Sequence, residues 1–427
     1  MQAAPEAGQG RRRIGARGVW LTLLVSAVLL AAAGVGVYRW RTERLLAQSA
    51  AALEKDDYQQ AWVFATRYLR SHPGHKRALD LKARALAGLG DWDQTAEIYG
   101  QLRAESRESL SAWATALTQQ QRWRDALEPL ERLHALVAND PDVLYQLAVC
   151  YRHLDRYEDA ERAARDLAAL PGQAGDGYLA LALVHNRRHN YLPSTAAWRV
   201  VLERAPDATG LRLPPAAVFL ECGRAYLAAG QTSQALEYLS RSVELNPTVE
   251  ARTIFGEASE LSGDLDRAQE LWQSVVADDP GNFQAREGLA RTALQGGAAA
   301  SAVKWLQPLT RGPQATSSTA YLLQRAYTLL GDQQQASRWQ ARAGELRERE
   351  RRLNIIDFER QQSPDSVLSR TARAHHLASH GAPGEALQIL EALLEVVPDD
   401  PFVRQLADAI QNNAPLPPLD EAVKSTD

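Results

Sequence analysis

His376 and His380 stand four residues apart, with His375 and Glu385 close by in the chain. On a helix, two imidazoles at that spacing share a face and match the pattern by which protein ligands hold zinc. They are the chain's nearest approach to a reaction centre. The two cysteines, Cys150 and Cys222, lie 72 residues apart. Without a CxxC pair they form neither a zinc ribbon nor a redox motif, and each reads as a small buried apolar residue. The glycine-rich phosphate loops, the HExxH helix and the GxSxG elbow are missing. Asp278-Asp279 and Asp399-Asp400 each precede a proline, which marks helix ends and turns rather than paired catalytic carboxylates. The sequence therefore predicts no catalytic residue, no cofactor and no metal site.

A regular beat explains what these residues are set upon. Ala126, Ala160 and Ser194 follow one another at 34 residues, and Ala235, Ala268, Ala302 and Ala336 at 33, 34 and 34. A fixed period of this size signals a repeat protein, in which each unit touches only its neighbours. Each period reads as a helical hairpin. In residues 216–247, Phe219, Cys222, Gly223 and Tyr226 form one face of a first helix and Gly230 ends it. Ala235 and Leu239 then mark the buried face of a second helix, and Pro247 stops it. Gly223 and Ala235 are small so that the two helices can approach closely. In the same register His376 occupies the place of Cys150 and Ala225, a packing position, which argues against the metal reading.

These residues resemble the tetratricopeptide (TPR) repeat, W-x2-L-G-x2-Y then A-x3-F then P, over roughly residues 42–410. The stretch Arg252–Gly256 with Gly263-Asp264, Ala268, Trp272 and Pro280 is a strong match. So is Tyr178, Leu181, His185, Tyr191, Ser194, Trp198 and Pro206. Copies near Ala61, Thr95 and Ala126 are degenerate, and one near Ala386 and Pro398 is good. The resemblance implies an all-α, right-handed solenoid of about ten hairpins, a binding protein and not an enzyme.

In TPR proteins the first helix of each hairpin lines the concave surface. At one groove-facing offset stand Arg84, Arg224, Arg291 and Arg325, with His375 in the last repeat and Glu257 interrupting the row. An inward row of arginines would favour an acidic segment or a carboxylate terminus, since guanidinium forks grip carboxylates bidentately. The competing expectation is that these arginines pair with Glu257, Glu260 and Glu287 across neighbouring helices. The Lys/Asn set with which some TPR domains hold a terminal carboxylate has no counterpart, Asn186 being nearly the lone candidate asparagine.

Two departures from the beat locate irregularities. The step from Ser194 to Ala235 is 41, which places an insertion in residues 207–215. The step from Ala336 to Ala386 is 50, which places a charged helical extension in residues 344–366. That extension is expected to pair Glu345 with Arg349 and Glu348 with Arg352 along a solvated face. A terminal repeat and capping helix follow over 367–413. Residues 414–427, with Pro415, Pro417 and Pro418, read as a disordered tail.

Ahead of the 42–343 array, residues 19–38 form an uncharged apolar run of 20, closed by Tyr38 and Trp40. At about 1.5 Å per residue it spans about 30 Å, a bilayer core. Residues 1–18 are a basic tail, and four arginines before the run against three after it favour a cytoplasmic amino terminus. The expectation is a single-pass protein of the cytoplasmic (inner) membrane with its repeats on the extracytoplasmic side. The alternative is a signal peptide cleaved after Ala31-Ala32-Ala33, which would release a secreted binding protein. Residues 1–46 carry +5 and the whole chain −4, leaving −9 on the body. An acidic body argues against a nucleic-acid partner. One anchor followed by TPRs resembles bacterial envelope assembly factors, including those of lipopolysaccharide and exopolysaccharide systems. The lipopolysaccharide type ends in a Cys-rich metal ribbon, a feature this sequence does not share. Partners are thus expected to be proteins or peptides; the oligomeric state stays open.

Overall fold

A computed structural model describes residues 40, 42–310, 315–363 and 365–425. The run at 19–38 and the basic tail lie outside the described residues. Among those described, every regular element is helical, and no helix is long and apolar enough to cross a membrane.

The chain divides into two compact units, one ending at Pro214 and one beginning at Pro215. In the first, α1 (42–53) pairs with α2 (Tyr58–Leu69), α3 (Lys76–Leu89) with α4 (Trp92–Gln101), and α5 (Arg107–Gln119) with α6 (Trp123–Leu136). It closes with α7 (Pro141–His153) on α8 (Tyr157–Ala169) and α9 (Ala174–Arg187) on α10 (Tyr191–Arg204). In the second, α11 (Pro215–Ala228) pairs with α12 (Thr232–Leu245), α13 (Val249–Ser262) with α14 (Leu265–Asp278), and α15 (Phe283–Gln295) with α16 (Ala299–Leu306). Then come α17 (Ser317–Leu329) on α18 (Gln333–Gln362) and α19 (Val367–Ser379) on α20 (Pro383–Leu394). A last helix, α21 (Pro401–Gln411), and a 3-10 helix at Leu419–Ser425 complete the unit. Each unit is a stack of TPR-like hairpins.

One backbone device turns every hairpin. Between its two helices each has a single residue of positive φ: Asp56, Gly90, Gln121, Asp155 and His189 in the first unit, then Gly230, Gly263, Gly297, Gly331 and Gly381. In several hairpins an aspartate follows at once and caps the second helix. Asp91 accepts from the Gln94 amide at 3.1 Å, Asp264 from Arg267 at 3.1 Å and Asp332 from Gln335 at 3.0 Å. Each cap satisfies one of the donors that a helix start leaves unpaired.

The small residues of the beat lie at the helix crossings. Ala61, Ala126, Ala160, Ala235, Ala268, Ala302 and Ala386 are fully buried. Ser194 is buried too and donates its hydroxyl to the Ala182 carbonyl at 3.0 Å. At Gly223 an added Cβ would stand 2.6 Å from Leu239, and at Gly256 and Gly288 it would run into the Trp272 ring. These glycines set how close the helices come.

α18 runs for 30 residues without a break. Its charges pair differently from the sequence expectation. Arg352 does meet Glu348 at 3.4 Å, but Glu345 turns back to Arg342 at 2.8 Å and Arg349 reaches Asp420 at 3.4 Å. The disordered tail expected over 414–427 is corrected over its described part. Pro417 and Asp420 are buried, and Leu419, Ala422 and Val423 pack on α18, α19 and α21. Three prolines made the composition look disordered, yet apolar residues next to them find a surface to cover.

Candidate binding surface

The outward faces of the first helices carry the arginine row, and its members meet different fates. Arg291 on α15 grips the carboxylate of Glu260 on α13 with its Nε at 3.0 and 3.2 Å and its Nη2 at 2.8 Å. It also lies over the Trp272 ring, 5.7 Å from the centroid. The Glu260 hydrogen bonds raise its pKa further. Arg224 on α11 pairs with Glu250 on α13 and, at 3.8 Å, with Glu221. Both arginines are neutralised across neighbouring repeats, as the competing expectation had it for Arg291 and Glu260. Glu250, not Glu257 or Glu287, takes Arg224.

Arg84 on α3 is half-buried, and its charge helps to hold Glu108 below the usual carboxylate range, after hydrogen bonds from the Glu108 backbone and Ser106. Arg325 on α17 is exposed and has no ion pair or side-chain hydrogen bond among the described residues. One turn before it, the Tyr321 ring is 49 % exposed. His375 is half-buried, and its Nε2–H donates to the Pro417 carbonyl at 3.0 Å.

Glu287, the remaining carboxylate of the competing expectation, is buried. It accepts hydroxyl hydrogen bonds from Thr316 and Ser318, each at 3.0 Å, and from Thr319. It joins α15 to the start of α17 and is a structural tie.

His376 and His380 lie with ring centroids 4.0 Å apart and planes tilted by 35°, and His380 Nδ1 lies 2.8 Å from the His376 carbonyl. Cys150 and Ala225, its counterparts in the repeat, are fully buried, whereas His376 is exposed, which corrects the packing expectation at that position. Ala374, the counterpart of Ala148 and Gly223, is buried. Among the described residues no three His, Cys, Asp or Glu side chains are placed to hold a metal ion. Burial pushes the Cys150 thiol up to about 12, which keeps it protonated and unreactive at neutral pH.

Two arrangements were not legible in the sequence. The insertion at 207–215 folds back over its own unit, where Arg212 Nη1 meets Asp142 at 2.7 Å and its Nε approaches Asp176 at 3.2 Å. Its guanidinium also lies 4.9 Å from the Tyr145 ring centroid. Asp142 and Asp176 are 34 residues apart, the same position in successive repeats, and that spacing was the available signal. The second arrangement is the C-terminal segment on α18 and α19, for which the composition held no signal.

Residues 111–177 and 261–326 each match a model of the tetratricopeptide repeat family, one match in each unit. Among curated proteins no match is found. Among solved structures, a tetratricopeptide repeat protein from Parabacteroides merdae ATCC 43184 is 17 % identical, covering 59 % of this chain and 98 % of its own, with a TM-score of 0.45. PilW, a type IV pilus biogenesis factor, is 18 % identical over 54 % of this chain and 97 % of its own, with a TM-score of 0.41. YrrB, a TPR protein with an unusual peptide-binding site, is 20 % identical over 50 % and 97 %, with a TM-score of 0.38. With hairpins of this build in both units and a repeat-model match in each, both units carry tetratricopeptide repeats, matched over residues 111–177 and 261–326.

Proposed function

We propose that this chain is a membrane-tethered scaffold. The run at 19–38 anchors it in the cytoplasmic (inner) membrane, with the repeats on the extracytoplasmic side. The outward faces of its first helices hold partner proteins or peptides while an envelope complex assembles. The observation that carries the binding role is the pair Tyr321 and Arg325 one turn apart on α17, an exposed ring and a guanidinium with no ion pair among the described residues. Aromatic and arginine side chains supply most of the binding energy at protein interfaces. The arginine favours an acidic stretch of the partner.

Affinity capture with the full chain, extracted in detergent, tests this reading. Tyr321→Ala/Arg325→Glu should lose the partner that the wild type retains; undiminished capture overturns the assignment. Protease added to intact and then opened cells tests orientation: repeats cut only after the inner membrane is breached would refute the extracytoplasmic placement. The stretch Ala31-Ala32-Ala33 favours a second reading, a secreted form cleaved at that point. Sequencing the mature amino terminus separates the two.

A further inference from the structure

In the last hairpin the outward face of the first helix is covered by the chain's own end. Pro417 accepts the His375 hydrogen bond at 3.0 Å, and His375 is the last member of the row that holds Arg325. Beyond it, the 3-10 helix Leu419–Ser425 lays Leu419 and Val423 against Leu353 and Ile356 of α18 and Leu368 and Ala372 of α19. Between those two side chains Asp420 turns inward. Its carboxylate is buried, 2.7 Å from Arg352 Nη2 and 3.4 Å from Arg349 Nε. The face thus offers an apolar floor with two guanidinium groups on its rim, and what fills it is an acidic residue flanked by apolar ones.

The segment fills that face loosely. A groove of about 320 Å³ remains beside it, where Arg342, Arg349 and Arg352 stand with Glu345, Leu346, Pro418, Asp420 and Glu421. Arg349 keeps 45 % of its side chain exposed. A 3-10 helix has poorer hydrogen-bond geometry than an α-helix and is used in short pieces. A short irregular segment can open locally while the helices beneath it stay folded.

We propose that this face of α18 and α19 is a docking surface for an acidic, apolar segment of a partner protein, and that the C-terminal segment is its competitor in cis. The proposal rests on the reading of the first-helix faces as binding surfaces and adds the chemistry of one occupant. The partner's carboxylate takes the place of Asp420 between Arg349 and Arg352, and its apolar residues take the places of Leu419 and Val423. A short tether holds the cis segment at an effective concentration on the order of millimolar, so a partner gains the face only by binding more tightly than that or when the segment is loosened.

The test uses the full chain and a fluorescent peptide copying residues 415–427. Asp420→Arg in the chain sets a third cation beside Arg349 and Arg352 and should drive the segment off its face. That variant is expected to bind the peptide at least tenfold more tightly than the wild type does. An Asp420→Asn change in the peptide should remove most of the gain. Equal binding by both chains, binding to neither, or binding indifferent to the peptide's charge overturns the proposal. If Asp420→Arg unfolds the chain, Asp420→Asn keeps the shape, removes the charge and permits the same comparison with a smaller gain. A wild-type chain that dimerises with rising concentration in light scattering assigns the face to a second copy and also overturns it. Failure here, with partner capture still lost in Tyr321→Ala/Arg325→Glu, leaves the scaffold reading standing. Undiminished capture in that variant with the peptide result intact does the reverse.

Discussion

The two units build the same hairpin by different means. In the unit from Pro215 onward, every hairpin turn of positive φ is a glycine. In the unit before it, Asp56, Gln121, Asp155 and His189 fill four of the five such positions and only Gly90 is a glycine. An L-residue in that conformation costs roughly 1–2 kcal/mol, less for Asp, and glycine escapes the penalty. In the second unit the turn is written into the local sequence. In the first, helix packing on either side imposes it. The copies near Ala61 and Ala126 turn on Asp56 and Gln121, and their helices pair as the others do.

The largest test of this contrast lies in the cores. Trp198 and Trp272 occupy the same repeat position, one in each unit, and both are fully buried. Truncating either to Ala should cost about 3–5 kcal/mol in chemical denaturation. Replacement by Phe should separate them. Trp272 Nε1 donates to the Thr253 carbonyl at 3.4 Å, whereas Trp198 Nε1 is buried without a hydrogen-bond partner among the described residues. Trp198→Phe therefore removes an unpaired donor and should cost clearly less than Trp272→Phe. Equal losses would mean that shape alone decides both sites.

Next in size is the glycine beside Trp272. Gly256→Ala would press a methyl group into the indole, an overpacking expected to cost about 1–3 kcal/mol and to lower the denaturation midpoint. The turns themselves come third. Gly263→Ala should destabilise by about 1 kcal/mol, while Gln121→Gly should be neutral or stabilise by up to about 1 kcal/mol. Destabilisation by both would show that the first unit's turns depend on their side chains, and the contrast drawn above would fail.

The smallest effect concerns pH. Burial lowers the His185 pKa from its ordinary 6.5, despite Glu161 nearby at 3.7 Å. The folded state then disfavours the imidazolium. The stability this group contributes is complete above the ordinary value and declines as pH falls below it. Hydrogen exchange in α9, corrected for its intrinsic rate, should quicken modestly between pH 7 and roughly pH 5, and His185→Gln should flatten that response. An unchanged pH response in the variant would place the acid-sensitive group elsewhere in the first unit.

Much of the architecture could be read before any coordinates. The positions of Ala235, Gly230 and Asp264 are short-range statements about helix crossings, turns and caps, and each depends on residues a few places away. The fate of the arginines was not legible in the same way. Arg291 finds Glu260, 31 residues earlier, while Arg325 at the same offset finds no ion-pair partner among the described residues. Nothing in either hairpin alone distinguishes the two. The acid on the facing helix, one repeat away, does.

By itself, then, the order of residues determined the period, the hairpin, the small contacts at each crossing and the repeat type that both units carry. Backbone preference and hydrophobic periodicity act over a single turn or a single repeat. Tertiary structure alone decided which charges were already satisfied, where the Arg212 loop came to rest and that the C-terminal segment packs on α18 and α19. Those outcomes turn on long side chains and an irregular segment choosing among surfaces far away in the chain, and such surfaces exist only once the stack has formed.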